Sequence, residues 1–188
     1  GGYVDTDGDG IRNDSGTGKN LAFELLVSSD YTDEIKAISM IKEQLSDIGV
    51  EIAMVTMDES TYETYLFAPT DDLWDIGMLW ATPGPKGDWI WEYARSYPEG
   101  EGWNSAYYNN PEFDEVLDKM LAEQDLMKRK EYLYQMQMIL AEDLPYSYLW
   151  RVRTVDPVRT DKFEGWVVGM GGISSWFNPW TFYKIHLK

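Results

Sequence analysis

Residues 20–57 read NLAFELLVSSDYTDEIKAISMIKEQLSDIGVEIAMVTM. In the first nine, Leu21, Phe23, Leu25 and Val27 alternate with Ala22, Glu24 and Leu26, the period of a strand. Thr32 can cap a helix, and Asp33 and Glu34 favour its positive N-terminal end. Ile35, Ile38, Ile41, Leu45 and Ile48 then recur at helical spacing until Gly49. Val50 to Met57 returns to a strand pattern. A strand, a crossover helix and a second strand require parallel pairing, so this stretch sets an α/β layer.

Downstream, Asp58 to Phe67 reads as a short helix, and Trp74, Ile76, Met78 and Trp80 alternate as a third strand over 74–80. Ala81 to Asp88 (ATPGPKGD) is a loop of helix and strand breakers, and Trp89 to Tyr97 is a candidate helix. Pro98 to Asn110 is a polar loop. Asn110-Pro111 starts a helix, with Asn as cap and Pro in the first position. Phe113, Val116, Leu117, Met120 and Leu121 form its apolar face. A second helix over 126–142 turns Tyr132, Met136, Ile139 and Leu140 inward and stops at Leu144-Pro145, completing a helical hairpin. Tyr146 to Val155 and Phe182 to Leu187 read as strands. Upstream, residues 1–18 are an acidic Gly/Asp loop.

The 188 residues are 44% hydrophobic, enough for a sizeable core in one domain. Sixteen Lys and Arg against 33 Asp and Glu give a net charge of −17, which repels phosphate backbones and argues against a nucleic-acid partner. Without Cys, disulfides and thiol catalysis are excluded. No run approaches the roughly 20 apolar residues of a membrane-spanning helix. His186 is the single His and reads as a surface residue, and no GxSxG, P-loop or GxGxxG occurs, so no catalytic residue is assigned. The start at Gly1 with no Met reads as a piece of a longer protein.

Two constellations could bind something. Asp5, Asp7 and Asp9 stand at offsets 1, 3 and 5 with Gly10 at 6, as at the start of a Ca²⁺-binding loop. Ile11 could add a backbone carbonyl, and Asn13 or Asp14 a further oxygen, but Gly16 stands where the bidentate Glu is expected. A solvated acidic turn is the plain alternative. The second constellation is aromatic. Trp80 ends a strand, Trp89 and Trp91 follow, and Trp103, Asn104 and Tyr107 share the next loop. In open α/β sheets ligands meet the loops beyond the strand ends, and aromatic faces suit sugars, peptides and cations. Against this, Trp74, Trp80 and Trp91 could simply be core.

Four stretches, in order, carry a resemblance. Asp9-Gly10-Ile11-Arg12 precedes the first strand. Gln44-Leu45-Ser46-Asp47-Ile48-Gly49-Val50 precedes the second. Trp74-Asp75-Ile76 to Trp80 enters a Pro/Gly loop. Tyr108-Asn109-Asn110-Pro111-Glu112-Phe113-Asp114, then Arg129 to Tyr134 and Ile139-Leu140-Ala141-Glu142-Asp143-Leu144-Pro145, match Y-x-N-P-E-F-D and R-x-x-x-L-Y…I-L-x-E-D-x-P runs. This order resembles the C-terminal lobe of family 5 solute-binding proteins, the dipeptide, oligopeptide and nickel receptors of ABC importers. The resemblance implies an α/β fold, a mixed sheet flanked by helices, as one lobe of a type II periplasmic-binding-protein-like fold. Residues 1–188 would be a single lobe, closing with an N-terminal lobe of the same parent chain on a peptide or oligosaccharide and delivering it to an ABC permease. The implied protein is extracytoplasmic, lipid-anchored in its parent form, and not an enzyme. Its cleft wall would comprise Trp80, Thr82, Asp88, Trp103, Asn104 and Tyr107. Oligopeptide receptors of the family often carry an Asp shortly after the aromatic at Trp80 to pair with the peptide amino terminus. Here Ala81 to Gly87 holds no acid, and Asp88 can substitute only by a folded-back loop. A calcium-braced structural or adhesion module is the rival reading.

Overall fold

The computed structural model describes residues 2–67, 74–81, 93–97, 102–151, 153, 155–169, 171–175 and 178–188. The chain clusters into two compact units, one from Gly1–Ala81 with Tyr97–Tyr107 and the other from Thr82–Ser96 with Tyr108–Lys188.

The first unit opens on a short antiparallel ribbon, β1 (Tyr3–Val4) with β2 (Asn13–Asp14). The acidic stretch is the connection inside it, and Gly8 and Gly10 adopt φ of 81° and 90°, which side chains resist. Next come β3 (Ala22–Ser28), α1 (Thr32–Ser46), β4 (Glu51–Met57), α2 (Glu59–Leu66) and β5 (Ile76–Gly77). The three strands form a parallel sheet in the order β4-β3-β5, with Leu25 opposite both Met54 and Ile76. The expected α/β class therefore holds, and the antiparallel pairing lies in separate two-residue ribbons.

β3 is central and buried on both faces, which is why its sequence is nearly continuously apolar. Leu25 and Val27 pack with Ile38 of α1 and Ile52 of β4. Leu26, one residue out of phase, packs with Tyr62 and Leu66 of α2. The helix α1 begins one residue earlier than its sequence suggests. Tyr31 is the N-cap residue, without a side-chain cap bond, and Thr32 is the first helical residue. Ile48 falls beyond the helix and is half-exposed. The third strand is shorter than its alternation predicts. The Asp75 carboxylate accepts from Glu24 N at 2.8 Å and so occupies a donor that would extend the ladder. Gly77 is required by packing, since a Cβ there would lie 2.5 Å from Leu66 Cδ1.

The second unit is built on the expected hairpin of α3 (Pro111–Ala122) and α4 (Leu126–Asp143). Asn110 Oδ1 accepts from Glu112 N and Phe113 N, and Asp125 caps α4 in the same way. Phe113, Val116, Leu117 and Met120 meet Met136 and Leu140 in one buried cluster, joined by Ala94. Tyr108 packs edge-on against Phe113 and donates its hydroxyl to Asp143. Burial and that bond push the Tyr108 phenol up to about 12.

Two strand expectations fail in this unit. None of the described residues from Tyr146 to Val155 joins a ladder, and Tyr148, Leu149, Trp150 and Val155 are exposed. Over Phe182–Leu187, the strand is confined to β7 (His186–Leu187), paired antiparallel with β6 (Phe163–Glu164), while Trp180–Lys184 is a short helix, α5. The buried Thr181 explains the switch. Its hydroxyl donates to Val167 O at 2.9 Å and accepts from Val167 N, an anchor no local propensity reveals. Asn178, fully buried, donates its side-chain amide to the carbonyls of Val167, Gly172 and Ile173.

Candidate functional site

In a parallel sheet all carboxyl ends lie on one edge, so residues just past β3, β4 and β5 arrive there together. These are Tyr31, Glu59 and Trp80. The Trp80 indole donates from Nε1 to Tyr31 Oη at 2.9 Å, and the Tyr31 hydroxyl donates to Glu59 Oε1. Tyr31 meets Tyr62 edge-on, with ring centroids 6.5 Å apart. Burial, then donation to Glu59, raises the Tyr31 phenol above its ordinary value, so it stays protonated as a donor. Trp80 itself is 55% exposed. It is therefore not core, unlike Trp74, which packs against the Leu26 cluster and donates to Tyr65 O at 2.9 Å.

Trp103, Asn104 and Tyr107 share one loop of the first unit. Trp103 is 53% exposed and meets Phe67 edge-on at 5.1 Å. Asn104 is buried, its carbonyl accepting from Tyr107 N at 3.1 Å, and Tyr107 holds a left-handed φ of 50°. Glu59 and Phe67 flank the two ends of α2, a helix of eight residues and so about 12 Å long. Trp80 and Trp103 are thus anchored at opposite ends of that helix. Thr82, Asp88, Trp89 and Trp91 lie outside the described residues.

At the N-terminus, carboxylate oxygens of Asp5, Asp7 and Asp9 lie within 4.8 Å of one another, all exposed. The loop itself already engages them. Asp5 accepts from Gly8 N at 2.7 Å and Gly10 N at 3.0 Å, bonds that lower its pKa. Asp9 accepts from Ile11 N and from the Asn20 amide. Asn13 is buried, with Oδ1 accepting from Thr6, and Asp14 accepts from Thr17 in the following turn. Of the six expected metal ligands, the structure clusters the three aspartates and gives the side chains of Asn13 and Asp14 other partners.

No family model matches the chain. Relatives do. The oligopeptide-binding protein AppA of Bacillus subtilis is 26% identical over 152 residues, covering 79% of this chain and 27% of AppA. The peptide transport periplasmic protein SapA of Salmonella typhimurium is 31% identical over 112 residues, covering 59% of this chain and 20% of SapA. Its relatives are family 5 peptide-binding receptors. The chain spans about a quarter of their length. Among solved structures, the mannohexaose-bound periplasmic oligopeptide-binding protein of Thermotoga maritima aligns over the whole chain and 37% of its own, with a TM-score of 0.71 at 23% identity. The structure of Bacillus subtilis AppA in complex with a nonapeptide aligns over the whole chain and 35% of its own, with a TM-score of 0.67 at 23% identity. These structural likenesses show the fold, which is that of periplasmic binding proteins.

Tyr31 and Glu59 belong to the candidate site and were not anticipated from sequence. Their signal was available, because each directly follows a strand of a parallel β-α-β unit, where ligand loops gather. His186 lies on β7, between Lys184 O and Glu164, among surface groups. No described helix is long and apolar enough to cross a membrane.

Proposed function

We propose that this chain is the C-terminal part of an extracytoplasmic solute receptor, lipid-anchored in its parent form, that captures a peptide or oligosaccharide and passes it to an ABC permease without transforming it. The single supporting observation is the Trp80 corner: a half-exposed indole at the carboxyl edge of a parallel sheet, in a fold whose relatives are peptide-binding proteins. The neighbour structures with a nonapeptide and with mannohexaose support both ligand classes as candidates. The wall would comprise Trp80, Thr82, Asp88, Trp103, Asn104 and Tyr107, with aromatics stacking, Asn104 and Thr82 hydrogen bonding and Asp88 supplying charge. One jaw alone leaves most of a ligand in water, so the other lobe is needed for useful affinity. Nothing among the comparisons supports the adhesion-module alternative. The Asp5, Asp7 and Asp9 cluster is proposed only as a structural Ca²⁺ brace within the receptor, on the proximity of its oxygens.

The test is calorimetric titration of the two-lobed receptor with a nonapeptide and with mannohexaose. A ligand covering about half of the exposed Trp80 surface would remove on the order of 60 Å² from water, worth ~1.5 kcal/mol, so Trp80→Ala should weaken binding about tenfold. Unchanged affinity in both Trp80→Ala and Trp103→Ala removes these residues from the wall. Failure of the parent to bind either ligand class refutes the reading.

A further inference from the structure

An indole has one hydrogen-bond donor. In Trp80 that donor is already committed, to Tyr31 Oη at 2.9 Å. The acceptor is itself fixed twice. Its hydroxyl proton goes to Glu59, and its ring stands edge-on to the buried Tyr62. The three residues of this relay come from three different strand ends, so their meeting is a product of the parallel sheet. A ring held in this way cannot turn its N–H toward a ligand without breaking the relay. Its exposed surface can be contacted only as an aromatic surface. Holding a flat side chain in one orientation before binding lowers the entropy lost on association.

We propose that Tyr31 and Glu59 are positioning residues that hold the Trp80 indole as a preset stacking surface, so that ligand is met there by ring contact and not by the indole N–H. This deepens the receptor reading above and rests on it for the word ligand, while the relay itself can be examined without one. The groups suited to the surface are the C–H face of a sugar, an aliphatic or aromatic side chain, or a cation. An anion is disfavoured, because the ring edge lies next to the Glu59 carboxylate through Tyr31, and Glu63 adds its field at the same hydroxyl.

The relay is tested first on the 188-residue chain by following indole N–H signals in ¹H–¹⁵N spectra, with Trp80 assigned through Trp80→Phe. Tyr31→Phe keeps the ring against Tyr62 and deletes only the acceptor. It should speed solvent exchange of the Trp80 N–H at least tenfold. Tyr62→Phe is the control, since the Tyr62 hydroxyl is buried and has no hydrogen-bond partner among the described residues, and it should leave the Trp80 signal where it is. Equal exchange in wild type and Tyr31→Phe overturns the relay. The second measurement is the affinity of the two-lobed receptor for the nonapeptide and mannohexaose probes. Tyr31→Phe should weaken whichever probe Trp80→Ala weakens, by severalfold, and the double variant should be no worse than Trp80→Ala alone. Loss with Trp80→Ala but none with Tyr31→Phe overturns the positioning role and leaves the receptor reading standing. A wild-type receptor that binds neither probe overturns the receptor reading and the ligand-facing half of this inference, whereas the exchange result still decides the relay.

Discussion

Asn110 ties the two ends of the helical hairpin together, and its replacement separates two functions of one side chain. Its Oδ1 accepts from Glu112 N at 2.9 Å and Phe113 N at 3.2 Å, satisfying two of the free donors at the start of α3. Its Nδ2 donates to Asp143 Oδ2 at 2.8 Å, on the last turn of α4. Asn110→Ala loses both, and the cap alone is worth about 1 kcal/mol, within a range of roughly 0.5–2. The Asp143 carboxylate is exposed and keeps its Tyr108 partner, so the tether adds less than the cap. With a urea slope of roughly 2 kcal/mol/M, the unfolding midpoint should fall by about 0.5 M. Asn110→Asp keeps the acceptor but sets a second carboxylate against Asp143. It should therefore lie between wild type and Asn110→Ala, because the helix N-terminus favours the new charge. The pH dependence supplies an independent check. Tyr108 first, then Asn110, holds the Asp143 carboxyl below its ordinary 3.8. That contribution is present above pH 3.8 and is lost as pH falls through the lower folded-state value, so the gap between wild type and Asn110→Ala should narrow in acid. Urea unfolding by far-UV circular dichroism reads all of this. A midpoint for Asn110→Ala within 0.1 M of wild type, or below that of no other variant in the pair, would refute the account of the cap.

Three further outcomes are expected. His186 presents both ring nitrogens to acceptors, Lys184 O at 2.9 Å and Glu164 Oε1 at 3.0 Å, and only the doubly protonated ring donates to both. Its pKa is raised above 6.5 by the Lys184 carbonyl first and Glu164 second, so the β6–β7 ribbon is favoured below pH 6.5 and that gain is lost as pH rises through the folded-state value; titration of the single His by ¹H NMR should show this, and Glu164→Gln should bring the value down. Leu144 ends α4 in a left-handed conformation, φ 48°, with an exposed side chain. Leu144→Gly should therefore stabilise by roughly 0.5–1 kcal/mol in the same urea assay, since an L side chain resists that region. Millimolar Ca²⁺ should raise the melting temperature of the chain, and Asp7→Asn should abolish the rise; no Ca²⁺-dependent shift removes the proposed brace.

Much of the fold was legible because it is periodic. The apolar residues of β3 lie on two faces, one covered by α1 and the other by α2, and both coverings leave a mark in residues 20–66. Asn110-Pro111 and Leu144-Pro145 mark the hairpin through backbone chemistry alone. The tail was misread for a physical reason. Alternating apolar residues near Phe182 satisfy a strand pattern, but Thr181 bonding Val167 across 14 residues decides for helix. In the site, Trp80 was visible as an aromatic at a strand end. Its orientation was not, because Tyr31 lies 49 residues before it and Glu59 lies between them, 28 residues after Tyr31.

The sequence by itself determined the β-α-β order, the helical hairpin, the acidic N-terminal turn and an aromatic just beyond the third strand, since each rests on neighbours within a few residues. The tertiary structure decided which side chains meet: that Asn13 turns to Thr6 and Asn20, and that the Trp80 N–H faces inward to Tyr31. Such meetings depend on strand order and register, which bring distant residues to one edge, and no local spacing encodes the result.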